Sequence, residues 1–294
     1  MKLIDLAETP PAQTQQWLQH AIAPRPICFA STIDNEGTVN LSPFSFFNLF
    51  STQPPIVIFS PSRRLRDGST KHTLENLMQV PECVVNILDY EMVQQASLAS
   101  CEFPKGVDEF IKAGFTKIPA TIIRPPMVKE AKISMECKVA EIKSLGDQGG
   151  AGQLVIAQVL RLHVDENLLG DNGMIDQRKM HHVARLGGDW YCRVDETNLF
   201  KVPKPNTLLG IGIDALPPGI RSSNHLSGNH LGMLANVTEI PAIDPAFADQ
   251  QLQQIIQYYS VNPSEMEKEL HRYAASLLNE GKIIEAWQVL RAGE

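Results

Sequence analysis

Long hydrophobic runs are missing from this chain. No stretch approaches the ~20 apolar residues of a membrane span, so no membrane role is expected. The opening residues, Met1-Lys2-Leu3-Ile4-Asp5-Leu6, put an acid where a secretory leader needs an apolar run; a cytoplasmic location is the expectation. Cysteine is scarce: Cys28, Cys83, Cys101, Cys137 and Cys192 are odd in number, scattered, and form no Cys-x-x-Cys pair. They read as reduced buried thiols rather than a disulfide framework. Basic runs are absent too, the longest being Arg63-Arg64 with Arg66, and the net charge is −7. A nucleic-acid backbone binder carries a basic face, so none is expected. The Gly-x-Ser-x-Gly of a serine hydrolase is lacking, as is a carboxylate at His-x-x-x-His spacing. His181 and His182 are adjacent and on a helix would face apart, so no metal site is expected. Internal repeats and low-complexity tracts are also missing.

What remains is globular. The 294 residues are 43% hydrophobic and 20% charged, enough for a sizeable core. Length suggests one large or two ordinary domains of about 150 residues each.

The organising stretch is 24–60, which reads as three strands joined by tight turns. Ile27 to Ile33 is an apolar run closed by Asp34-Asn35-Glu36-Gly37, with Gly where positive φ is needed. Thr38 to Leu41 returns. Pro43 cannot donate a ladder hydrogen bond, so the sheet is expected to loosen there. Ile56 to Ser60 follows. Ser31, Thr32, Ser42, Ser45 and Asn48 then sit beside exposed backbone, a mixture that suits a polar-edged aromatic ring system.

Around this unit, Thr9-Pro10-Pro11 opens a helix with a hydroxyl cap and runs to about Ile22. Further helices are predicted from Thr70 to Met78, after Asp89 to Ala99, and from Asp108 to Ala113, the last ended by Gly114. Glu82 to Leu88 is a buried strand. Lys132–Ser144 pairs with Gln153–Asp165 across a glycine-rich turn at 146–152. Those glycines are not a phosphate loop: a dinucleotide fingerprint runs strand, glycines, helix, and here β-branched residues continue on the far side. From Asn198 to Pro218 the chain is loop-like, with Pro203, Pro205, Pro217 and Pro218. Residues from about 246 onward read as two amphipathic helices, the second from Met266 to Arg291. The fold class is thus mainly β with peripheral helices (α+β). Domain 1–200 carries the strands, and 201–294 is a loop-rich, helical extension expected to pack on it.

Ser69-Thr70-Lys71-His72-Thr73 is the best phosphate candidate, because hydroxyls, an ammonium and a helix N-terminus converge within one turn. The bland alternative is an ordinary capped surface helix with a solvated lysine.

Ser-Thr-x-Asp-x-x-Gly-x-x-Asn-x-Ser-Pro-Phe-Ser-Phe-Phe-Asn, from Ser31 to Asn48, resembles the flavin reductase-like family of FMN-binding split barrels. Pro54-Pro55, Phe59-Ser60, Lys71-His72-Thr73-Leu74-Glu75-Asn76, Asp108-Glu109-Phe110, Glu136-Cys137 and Arg185-Leu186-Gly187-Gly188 with Tyr191 continue the likeness, in family order, over roughly 20–195. The resemblance implies an antiparallel split β-barrel that binds FMN, in a homodimer, with NADH or NADPH as electron donor. It places the cofactor contacts at Ser31, Thr32, Pro43, Phe44, Ser45, Asn48, Ser60, Ser62, Lys71, Thr73 and Arg185. His72 stands where relatives carry Asp. By spacing, Phe44, Phe46, Phe47 and Phe50 read instead as core or dimer contacts. No residue is assigned a catalytic acid or base role, because the flavin carries the chemistry. Two functions follow: an NAD(P)H-dependent flavin reductase passing electrons to free flavin, a monooxygenase or another acceptor, or an FMN-binding electron carrier with little nicotinamide turnover. A cofactor-less binding protein is a third, weaker reading.

Overall fold

A computed structural model describes residues 1–203 and 209–292. Pro205, expected in a loop, lies outside the described residues. The chain divides into two compact units, Met1–Phe200 and Lys201–Glu294.

The first unit is built on eleven strands, seven of them in one sheet, and four helices. In chain order these are α1 (Pro11–Ala21), β1 (Cys28–Ile33), β2 (Val39–Phe44), β3 (Phe47–Thr52), β4 (Pro55–Phe59), α2 (His72–Gln79), β5 (Glu82–Ile87), α3 (Val93–Ala99) and α4 (Glu109–Ala113). The short pair β6 (Lys117–Ile118) and β7 (Met127–Val128) follows, then β8 (Ile133–Ser144) and β9 (Gln153–Val164), and last the small hairpin β10 (Val183–Arg185) and β11 (Tyr191–Arg193). The main sheet has the order β2-β1-β5-β8-β9-β4-β3, antiparallel throughout. Its two outermost strands, β2 and β3, are consecutive in the chain and joined only by Ser45-Phe46. Phe44 and Phe47 are three residue steps apart and so at most ~11 Å from each other, and a seven-stranded sheet can have its edges that close only if it rolls up. It forms a barrel left open along one seam.

Side-chain alternation of period two fills it. Cys28 and Ala30 of β1 join Phe44, Phe59, Val85, Cys137 and Val155 in the interior cluster. Phe29, between them, turns outward and packs with Leu41, Met92, Ala96, Phe110 and Phe115 beneath α3 and α4. Cys28, Cys83 and Cys137 are buried thiols that behave as small hydrophobes, as expected, but Cys101 is exposed and Cys192 half-buried, because neither lies on an inward face of the sheet.

The stretch 24–60 makes four strands, not three, and β2 runs through Pro43, which pairs with Phe29. Proline is tolerated because β2 is an edge strand whose other side has no ladder partner. β3 was masked in the sequence because it too is an edge, exposed over most of its length, so it shows no apolar-polar alternation. Thr9 does not cap α1. Its hydroxyl donates to the Asp5 carbonyl, and the cap position is Pro10, pre-set for a helix start by its ring. His181 and His182 precede a β-hairpin rather than lying on a helix; His182 bridges Asp89.

The second unit is helical: α5 (Pro218–Arg221), α6 (Gly228–Ala235), α7 (Gln250–Tyr258), α8 (Pro263–Asn279) and α9 (Ile283–Arg291). Its own core gathers Leu234, Ala274, Leu278, Trp287 and Val289. The helix expected from Met266 to Arg291 is two helices, because Gly281 adopts φ 77°, the left-handed conformation that ends α8. Helix α6 was not anticipated; its signal is the cap at Ser227, whose hydroxyl accepts from the His230 amide while the His230 ring accepts from the Ser227 amide.

Candidate functional site

A cavity of about 1120 Å³ lies at the seam of the barrel. One side is the β2–β3 link, Ser42-Pro43-Phe44-Ser45-Phe46, with Ser60 at the end of β4. The loop 62–66 and Lys71 form another, and α1 with the segment before it forms a third. The glycine-rich tip of the β8–β9 hairpin, at Gly149 and Gly150, completes it.

The seam is held by few bonds. The Ser60 amide donates to the Phe46 carbonyl (2.9 Å), and the Ser60 hydroxyl accepts from the Gln153 amide (3.0 Å). The hairpin tip grips the loop directly: the Arg63 amide donates to the Ala151 carbonyl (2.9 Å) and the Gly150 amide to the Arg63 carbonyl (3.0 Å). A Cβ on Gly149 would stand 2.6 Å from the Leu65 carbonyl oxygen, so only glycine permits this approach.

The cavity is cationic in an acidic protein. Arg25, Arg63, Arg64, Arg66 and Lys71 line it against a single acid, Glu102. Arg64 and Arg66 both pair with Glu102, at 3.0 and 2.6 Å. Burial opposes ionisation of Glu102, but Arg64, Arg66 and Lys71 outweigh it and hold its carboxyl below the usual range. Lys71 has no ion-pair partner among the described residues; burial, then the Arg64 charge, pushes its ammonium below the ordinary lysine value. Lys71 is also the N-cap residue of α2, and no side chain caps that helix. The Leu74 and Glu75 amides donate to the Lys71 carbonyl (3.0 and 3.3 Å), which leaves the amides of His72 and Thr73 and the dipole available to an anion.

Unmet hydrogen-bonding capacity concentrates here. Arg25 Nε, Ser62 Oγ and Arg63 Nε are buried without a partner among the described residues, and all three belong to this cavity's lining. Buried polar groups are rarely left so. Such a set of donors suits an anion with several acceptors.

Six of the eleven residues expected to touch a cofactor line this cavity: Pro43, Phe44, Ser45, Ser60, Ser62 and Lys71. The other five lie elsewhere. Ser31 and Thr32 are fully buried in β1; Ser31 donates to the Pro126 carbonyl, and Thr32 accepts from Asn76 Nδ2 (3.2 Å). Thr73 turns its hydroxyl away, donating to Asn40 Oδ1 (2.5 Å), whose amide in turn donates to Glu109 (2.9 Å). These threonines fix α2 on the sheet and so position Lys71. Asn48 is exposed on β3, its Oδ1 accepting from the Leu49 amide (2.8 Å). Arg185 lies over the Tyr191 ring, 4.5 Å from its centroid, in a separate recess. Its backbone exchanges two 2.9 Å hydrogen bonds with Arg25, which lines the main cavity. His72 faces a small recess with Asn40, Thr73 and Glu109 behind the lysine.

Sequence reasoning missed Arg25. It is buried, and its guanidinium donates to the carbonyls of Gln19, Ile22 and Leu186. Burial, then the Arg185 charge, lowers its pKa. Glu102, Ser100 and the face of α1 were missed as well, since nothing local marks them as neighbours of residue 45.

Residues 20–184 match the model of the flavin reductase like domain. The chain belongs to the flavin reductase-like family. An uncharacterised protein of Aquifex aeolicus is 34% identical over 172 residues, 58% of this chain and 85% of the relative. Component B of nitrilotriacetate monooxygenase from Bacillus cereus superimposes with a TM-score of 0.64 at 31% identity, covering 69% of this chain and 98% of that one. The flavoredoxin of Desulfovibrio vulgaris shares the fold, with a TM-score of 0.52 at 23% identity, 61% of this chain and 91% of that one being covered. The rolled antiparallel sheet with its open seam is the split barrel of this family.

Proposed function

We propose that the seam cavity binds FMN non-covalently and that the protein is an NAD(P)H-dependent flavin oxidoreductase. The observation that carries this reading is the coincidence, in one cavity of a family member, of unpartnered buried donors, an uncapped helix N-terminus and a surplus of cations. Lys71, the first turn of α2 and Arg64 would hold the phosphate. Pro43, Phe44 and Phe46 would bear the ring, with Ser45, Ser60, Ser62 and nearby backbone amides at its polar edge. When bound, the flavin supplies the redox step, accepting hydride at N5 from a reduced nicotinamide. The chain's own part is to orient the ring, exclude water and keep positive charge beside it, which favours the reduced, anionic form. No side chain need act as acid or base.

Homodimerisation and delivery of electrons to a monooxygenase or another acceptor belong to the same proposal. The Bacillus cereus neighbour is component B of a monooxygenase. The purified protein is expected to be yellow, or to become so with added FMN, and anaerobic NADH or NADPH should bleach it. A colourless protein that ignores FMN refutes the cofactor reading. A yellow protein that neither nicotinamide bleaches is an electron carrier instead.

A further inference from the structure

Among the charged residues that line the seam cavity only Arg25 is buried, at 7% exposure, and no carboxylate pairs with it among the described residues. Its guanidinium donates to backbone carbonyls alone: Gln19 (2.7 Å) and Ile22 at the C-terminal end of α1, and Leu186 (2.9 Å) in the β10–β11 turn. Those dipoles solvate the charge without cancelling it. Arg185 stands directly opposite Arg25 in an antiparallel bridge, which puts both side chains on one face. Arg185 has no acid either. It donates to the Tyr191 hydroxyl and the Gly188 carbonyl, and Asp189, in the same recess, pairs with neither arginine among the described residues. Burial first, and then the Arg185 charge, lowers the Arg25 pKa. A buried cation beside a like charge is costly unless something negative stands next to it. The chain supplies nothing of the kind on the cavity side, since the one lining acid, Glu102, is taken up by Arg64 and Arg66. The Arg25 guanidinium carbon lies 5.9 Å from the centre of the Phe46 ring, and its Nε has no partner.

We propose that Arg25, backed by Arg185, sets the reduction potential of the flavin by holding a fixed positive charge beside its ring. The proposal rests on the flavin reading above and goes beyond it by giving this task to a residue outside the phosphate group of Lys71 and Arg64. A ring resting on Phe46 lies in the field of Arg25. Hydride carries two electrons and one proton, so the neutral oxidised ring becomes a reduced anion and needs no further proton. The oxidised ring gains little from the two arginines. The reduced anion is attracted by both and offsets their repulsion. Affinity therefore rises on reduction, and by linkage the potential rises with it. Arg185 is a positioning residue: its two 2.9 Å backbone bonds fix Arg25, and its charge adds to the same field.

The test is the midpoint potential of bound FMN, with affinities for oxidised and reduced FMN measured separately, in the full chain and in Arg25→Gln, Arg25→Lys and Arg185→Gln. Arg25→Gln is expected to bind reduced FMN about tenfold more weakly while oxidised FMN changes little, which lowers the potential by about 30 mV. Arg185→Gln should lower it by less. Arg25→Lys keeps the charge and should keep the potential, although it gives up part of the bracing of α1. A potential unchanged in both glutamine variants overturns the proposal and leaves the flavin reading standing. So does a fall as large in Arg25→Lys as in Arg25→Gln, or an equal loss of oxidised and reduced FMN, since bracing rather than charge is then at work. Should Arg25→Gln fail to fold, a fall in Arg185→Gln with none in Arg25→Lys upholds the proposal, and any other pattern overturns it. A chain that binds no FMN removes the flavin reading and this proposal together.

Discussion

At the scale of single residues, Lys71 is the informative one. Arg64 and Arg66 share Glu102, and Arg63 lies 3.8 Å from Asp147, whereas Lys71 pairs with no carboxylate among the described residues. Its charge is partly desolvated, and under the flavin proposal it is the group that meets the phosphate. Removing a charge-assisted contact costs about 1.5–3 kcal/mol, so Lys71→Ala should weaken FMN about ten- to a hundredfold. Riboflavin, which has no phosphate, should lose little. Equal losses for the two, read by fluorescence titration, would move the phosphate elsewhere. A bound phosphate raises the lysine pKa, so FMN affinity should fall as pH climbs through the lowered value of the free protein, below the ordinary lysine range. Riboflavin affinity should not follow that curve.

Glu136 shows a carboxylate put to structural use. Burial raises its pKa, but donation from the Thr121 hydroxyl and amide, the Ile122 amide and His163 outweighs this and brings it to about 2. A depressed carboxylate stabilises the fold above its unfolded value of 4.5 and loses that contribution as pH falls toward about 2. The loss amounts to about 3 kcal/mol. Glu136→Gln should therefore melt lower at neutral pH and show a shallower decline in stability between those pH values. Parallel pH profiles for the two proteins would contradict this.

At the scale of elements, the hairpin β8–β9 and the cation loop work as one piece. The alternation of Ile133, Met135, Cys137 and Val139 marked the hairpin plainly, and the glycines after Leu145 marked its turn. Their local character could not reveal that the turn closes on Arg64 and Leu65, because that contact joins segments more than eighty residues apart. Gly149→Ala places a methyl against the Leu65 carbonyl, backbone that cannot swing aside. It should loosen the loop and lower FMN affinity, with little change in the far-UV spectrum. An alanine variant that binds FMN normally would show that the tip does not hold the loop. Similarly, Thr32 and Thr73 read as ligand hydroxyls from their company, yet each is spent on a neighbouring amide that only the packing of α2 on β1 and β2 supplies.

At the scale of the molecule, Met1–Phe200 carries every strand of the sheet and every residue lining the cavity. The relatives are matched nearly end to end by part of this chain, as with the Bacillus cereus protein, 98% of which is covered by 69% of it. A fragment ending at Phe200 should therefore fold and bind FMN about as the full chain does. Circular dichroism and FMN titration would check this. An insoluble fragment, or one that has lost FMN, would mean that the helical unit, with its own core around Trp287, supports the barrel.

By itself the sequence determined the class of fold, the strands whose two faces differ, and which hydroxyl, aromatic and basic side chains cluster near residues 42–46 and 71. Those depend on periodicity and on short spacings, which the chain carries locally. Only the tertiary structure decided that β2 and β3 stand at opposite ends of one rolled sheet, that Arg25 and α1 border the seam, and that Arg185 belongs to a neighbouring recess. Each of these depends on which distant backbone segments meet, and a side chain's local pattern is the same whichever partner the fold brings to it.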